Sequence, residues 1–107
     1  MIERRSEPRV RIAVRVTVSG TDTRCEEFSE SVVATNLSRG GALLSRVAAE
    51  LRCGDLIAVR YGVCLARFRI VWVLDMGNEG SEVAIHRLRG QPCPWEGVLP
   101  QPEMVSR

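Results

Sequence analysis

Arg11-Ile12-Ala13-Val14-Arg15-Val16-Thr17-Val18-Ser19 alternates without a break. Ile12, Val14, Val16 and Val18 fall on one side, and Arg11, Ala13, Arg15 and Thr17 on the other. A period of two with branched apolar residues on one face and charge on the other is a half-buried strand, because successive side chains in extended backbone point to opposite faces. Working outward, Gly20-Thr21-Asp22-Thr23 has turn chemistry, and the acidic stretch Cys25–Ser29 fits either strand or loop. Ser31–Thr35 is β-branched and reads as a second strand, the apolar Ala42–Ser45 as a third, Leu56–Tyr61 as a fourth, Val63–Leu74 as a fifth and Glu82–Leu88 as a sixth. Val47–Arg52 reads as one helical turn or an irregular link. In the fifth run the alternation puts Ala66, Phe68, Ile70 and Trp72 on the inner face, with Leu65, Arg67, Arg69, Val71 and Val73 opposite.

Six short strands punctuated by Gly, Asn and Asp, with no helical periodicity, predict an all-β fold, a small six-stranded antiparallel β-barrel. The 107 residues suit one domain with one modest core. Residues 1–10 are expected to form a flexible Arg-rich arm, 11–90 the barrel, and 91–107 a Pro-rich tail packed on it through Trp95.

Apolar content of 45% and charged content of 26% are ordinary for a globular chain. No apolar run reaches eighteen residues, so no membrane span is expected, and the charged N-terminus lacks the apolar core of a signal peptide. Cys25, Cys53, Cys64 and Cys93 show no ligand-like spacing, and His86 is the single histidine, so neither a metal nor a cofactor is expected. Free thiols fit a reducing cytoplasm. No nucleophile–base pair or acid–base carboxylate pair stands out, and His86 reads as structural or exposed, so the chain does not read as an enzyme.

The basic residues are unusual. All fifteen are Arg, and five of them fall in residues 1–15. Arg4, Arg5 and Arg9 precede the first strand, and Pro8 keeps their segment out of helical space. A guanidinium can grip phosphate bidentately, pair with the O6/N7 edge of guanine, or stack on a base. Arg11 and Arg15 read as the solvent face of the first strand. A second stretch, Asn36-Leu37-Ser38-Arg39-Gly40-Gly41, has the composition of a tight connection.

Arg5-x-x-x-Arg9 followed by Asn36-x-Ser38-x-x-Gly41 resembles the paired motifs of the PilZ domain family, small bacterial receptors for cyclic di-GMP. The likeness runs from about Arg4 to Leu88. It implies a PilZ-like barrel that binds cyclic di-GMP, with Arg5 and Arg9 as a clamp and Asn36, Ser38 and Gly41 as the facing floor. Gly40 and Gly41 would admit the ligand close to the backbone. In similar proteins an Arg directly before the clamp, as Arg4 is here, tends to accompany two intercalated ligand molecules. A single-domain receptor, monomeric or weakly dimeric, would signal to a protein effector in trans through ordering of the arm. The alternatives are a PilZ-like interaction module that has lost the nucleotide, and a barrel for single-stranded nucleic acid. The second needs exposed aromatics along a basic groove, whereas aromatics are only 5% of this chain and Trp72 and Phe68 read as inward, so no nucleic-acid partner is expected.

Overall fold

A computed structural model describes residues 11–100. Six strands, β1 (Val14–Thr21), β2 (Glu27–Thr35), β3 (Gly41–Val47), β4 (Leu56–Tyr61), β5 (Cys64–Asp75) and β6 (Ser81–Arg87), form a closed antiparallel barrel in the order β1-β2-β3-β6-β5-β4. Closure is made by β1 against β4, where Thr17, Val18 and Ser19 face Arg60, Val59 and Ala58. Pairing the first strand to the fourth removes the exposed edges that an open sheet would present.

The alternation of β1 places Val14, Val16 and Val18 inside, with Arg15 and Thr17 outside. The other strands add Val32 and Ala34, Leu44 and Val47, Ile57 and Val59, Ala66, Phe68 and Ile70, and Val83 and Ile85. Loop residues close the ends: Leu37, Leu51, Trp95 and Leu99 are all buried. Trp95 packs on Phe68 with ring centroids 5.4 Å apart and planes tilted by 35°. Such a pair contributes about 0.5–1.5 kcal/mol beyond area burial.

Two carboxylates shape the loops, one through a long-range contact and one locally. The Glu30 carboxylate accepts the amides of Ala48 and Ala49 at 2.9 and 2.8 Å, holding the β3–β4 connection as an irregular link rather than a helical turn. Asp22 accepts the amides of Arg24 and Glu26 at 2.8 and 3.0 Å, and Glu27 then begins β2 opposite Thr21. The four cysteines are free thiols. Burial pushes the Cys93 thiol above its ordinary range. Among the described residues no helix is long and apolar enough to cross a membrane, and no group of three or more His, Cys, Asp or Glu could hold a metal ion.

One strand departs from the expected alternation. Ile70 faces Ile85, but Trp72 faces Ala84 and Val73 faces Val83, a shift of register between Ile70 and Trp72. The extra residue of this bulge turns the strand over, as a one-residue slip must. Trp72 is therefore not a core residue: it is 45% exposed on the outer face, and Val73 packs inward in its place.

Candidate functional site

The connection between β2 and β3 is a rigid turn. Asn36 leaves β2 with φ of 55°, in the left-handed region that Asn tolerates better than most residues. Leu37 then plugs the barrel end, fully buried. Ser38 folds the chain back on itself. Its Oγ accepts the amides of Gly40 and Gly41, both at 3.2 Å, and its own amide donates to the Gly41 carbonyl at 3.0 Å. With both acceptor positions of the hydroxyl engaged, what remains to it is donation.

The turn is also held from behind. The indole Nε1–H of Trp95 donates to the Ser38 carbonyl, Arg87 Nε–H to the Arg39 carbonyl, and the Arg87 amide to the Gly40 carbonyl, each at 2.7 Å. Arg87 Nη1 reaches the Gln91 carbonyl at the same distance, and Arg39 pairs with Glu96 at 2.9 Å. That ion pair is about half exposed on both sides, so screening leaves it worth about 1 kcal/mol or less. The three carbonyl bonds define the turn's shape far more than the ion pair does.

Gly41 opens β3 opposite His86. A Cβ there would overlap the carbonyl oxygen of Ile85. The sequence offered ligand access as the reason for Gly41; the structure adds an intramolecular one, the tight approach of β3 to β6.

Beside this turn lies a hollow of ≈ 270 Å³ on the outer face of the barrel. Ser38, Gly40, Gly41 and Ala42 form one side; Val71, Trp72, Ala84 and His86 form the other. It exists because Gly40, Gly41 and Ala84 are small while Trp72 and His86 are large. Sites that enclose a whole drug-sized molecule run to roughly 300–1,000 Å³, so this one has room for a flat ring, not an entire dinucleotide. Two depressions of ≈ 290 Å³ lie elsewhere, one against Gly20 and Leu56 and one against Ala48 and Asp75, and neither has an aromatic wall. Among the described residues no carboxylate lines the hollow beside the turn, and His86 is its single titratable lining residue. His86 Nδ1 lies 3.1 Å from the Arg87 carbonyl. A carbonyl can only accept, so Nδ1 carries the proton and, in the neutral ring, Nε2 is the acceptor.

Of the residues singled out from sequence, the structure brings Ser38, Gly40 and Gly41 to the hollow. Asn36 stands exposed at the head of the same turn, outside the hollow's lining. Arg4, Arg5 and Arg9 lie outside the described residues. Trp72 and His86 are the additions. His86 follows from the β6 alternation, in which Val83 and Ile85 point inward. For Trp72 the alternation points the wrong way, inward; the one contrary signal is the unbroken apolar run Val71-Trp72-Val73-Leu74, in which period two no longer separates the faces.

No family model matches the chain, and no curated protein or solved structure matches it either.

Proposed function

We propose that the chain is a PilZ-type receptor for cyclic di-GMP, in which the Asn36–Gly41 turn and the outward Trp72 receive a guanine base and the Arg arm engages the phosphates. The observation that carries the reading is the pairing of a pre-shaped polar turn with an exposed indole across a base-sized hollow. A flat apolar wall opposite the Ser38 hydroxyl, which is left to donate, is what a purine needs: a face to stack on and a polar group at its edge.

The path of the chain supports the role of the arm. Val14 opens β1 opposite Ala34, two residues before Asn36. The backbone therefore enters the barrel at the end where the turn lies. Arg9 precedes Val14 by five residues, a span of at most about 18 Å of extended chain, to which a long side chain adds further reach. A segment ordered by the ligand would re-present that end of the barrel to a protein partner in trans, and its ordering cost would be offset by phosphates held between guanidinium groups.

Calorimetric titration tests the reading, with cyclic di-GMP set against GTP and a short single-stranded oligonucleotide. Saturable binding of the cyclic dinucleotide alone is expected, with Arg9→Ala weakening it by about 2–5 kcal/mol. Binding of the oligonucleotide alone would favour the nucleic-acid reading, which gains one point from the outward Trp72 on a face that also carries Arg60, Arg67 and Arg69. A single half-exposed indole falls short of the row of stacking platforms such proteins use.

A further inference from the structure

The ladder between β3, β6 and β5 sets outward residues in rows. Gly41, His86 and Arg69 form one row, through the pairs Gly41–His86 and His86–Arg69. Leu43, Ala84 and Trp72 form the next, through Leu43–Ala84 and Ala84–Trp72. Directly opposed residues share a face with Cβ atoms about 4.5–5.5 Å apart, and adjacent rows are two residues, about 7 Å, apart along β6. The hollow lies across these two rows. Trp72 walls it in one, and His86 walls it in the other with Arg69 immediately alongside.

Arg69 is exposed, and among the described residues its own row holds no carboxylate: its neighbours are His86 on β6 and Leu56 on β4. A guanidinium on a three-carbon stem crosses one row of a sheet, so the donors of Arg69 can reach a ring that lies against Trp72. His86 presents Nε2 as an acceptor beside it, because Nδ1 is committed to the Arg87 carbonyl.

We infer that Arg69 and His86 read the edge of the base stacked on Trp72 and make the hollow selective for guanine over adenine; this rests on the cyclic dinucleotide reading above. Guanine offers two acceptors, O6 and N7, to a bidentate guanidinium, and a ring N1–H donor on the other side of O6 for the imidazole Nε2. Adenine places an amino donor where guanine has O6 and an unprotonated nitrogen at N1. The contacts at position 6 and at N1 are then donor against donor and acceptor against acceptor, while N7, an acceptor in both purines, keeps one of the two guanidinium bonds. The discrimination resides in the barrel wall, apart from the charge of the N-terminal arm.

The test compares wild type, Arg69→Met and Arg67→Met by calorimetric titration with cyclic di-GMP and with cyclic di-AMP. Met keeps the aliphatic stem, and both positions are exposed on one face of β5, so the fold is not at stake. Arg67 pairs with Ala58 and lies two residues farther from Trp72, which makes it the control for bulk charge. Arg69→Met is expected to weaken cyclic di-GMP tenfold or more while changing cyclic di-AMP less than threefold; Arg67→Met should change both less than threefold. Equal losses for the two nucleotides, an equal loss from Arg67→Met, or unaltered cyclic di-GMP affinity in Arg69→Met would each overturn the inference while leaving the receptor reading standing. Failure of the wild type to bind either nucleotide would overturn both.

Discussion

The indole nitrogen of Trp95 donates a 2.7 Å hydrogen bond to the carbonyl oxygen of Ser38, fifty-seven residues earlier in the chain. Both residues are buried, Trp95 completely and Ser38 to 3% exposure. The bond joins the C-terminal segment to the turn that borders the hollow, and its loss would leave a buried acceptor unpaired. Trp95→Phe keeps most of the ring packing on Phe68 and removes the donor. An unsatisfied buried acceptor costs about 1–3 kcal/mol, and one kcal/mol moves Tm by about 4–8 °C in a domain of this size. Thermal unfolding of Trp95→Phe should show a Tm lower by at least about 4 °C; an unchanged Tm would mean the bond contributes nothing to stability.

Gly41 and Gly97 make a matched comparison. A Cβ at Gly41 collides with the Ile85 carbonyl, a backbone atom that cannot swing away, whereas a Cβ at Gly97 meets nothing within 4 Å. Overpacking of this kind costs typically about 1–3 kcal/mol or more, while substitutions in open space stay within about 0.5 kcal/mol. Urea unfolding should show Gly41→Ala strongly destabilised and Gly97→Ala close to wild type. Equal stabilities for the two variants would contradict the packing of β3 on β6.

Trp72 and Trp95 should separate stability from binding. Trp72 is 45% exposed and Trp95 not at all. Trp72→Ala is expected to leave the unfolding midpoint nearly unchanged and to weaken cyclic di-GMP by about 1–3 kcal/mol, the worth of one aromatic–base stack. Full affinity in Trp72→Ala, measured by the same titration, would remove the indole from the site.

The Asp22 turn gives a pH dependence with a defined sign. The Glu26 amide foremost, with the amide and charge of Arg24, holds the Asp22 carboxyl below its ordinary value of 3.8. A folded-state value below the unfolded one contributes stability above the unfolded value, and that contribution is lost as pH falls through the lowered value. Asp22→Ala should therefore be less stable than wild type at neutral pH, and the gap should narrow as the solution is acidified below about pH 4. Denaturant midpoints taken from pH 7 to pH 2 would show it; a gap that does not change with pH would assign the effect to the turn alone.

The barrel was legible because five of the six strands announce themselves through alternation or β-branching, and Gly, Asn and Asp mark the breaks between them. Arg11–Ser19 carried most of that argument; from Val14 onward its residues lie as the period requires, whereas Ile12, expected inside, precedes β1 and is 48% exposed. What was not legible depends on contacts between distant residues. The β3–β4 link stays irregular because Glu30, seventeen residues before Val47, takes the Ala48 and Ala49 amides. The start of β2 is acidic and becomes a strand through its pairing with Gly20 and Thr21. Trp72 was read as core because a bulge leaves no trace in a periodicity count that runs straight through it. At the candidate site, the turn chemistry of Asn36–Gly41 was readable, while the three donors fixing its carbonyls come from β6 and the C-terminal segment and have no local signature.

The central claim is that a cyclic dinucleotide seats between the Ser38–Gly41 turn and Trp72, and the most direct test is a two-dimensional amide NMR titration of the full chain with cyclic di-GMP. The two tryptophans give two indole N–H signals. The account predicts saturable shifts of the Trp72 indole and of the Gly40, Gly41 and His86 amides, with a smaller shift of the Trp95 indole through its bond to Ser38. A spectrum unmoved by millimolar ligand, or saturable shifts confined to residues far from the hollow, such as Asp22–Glu26, would contradict it.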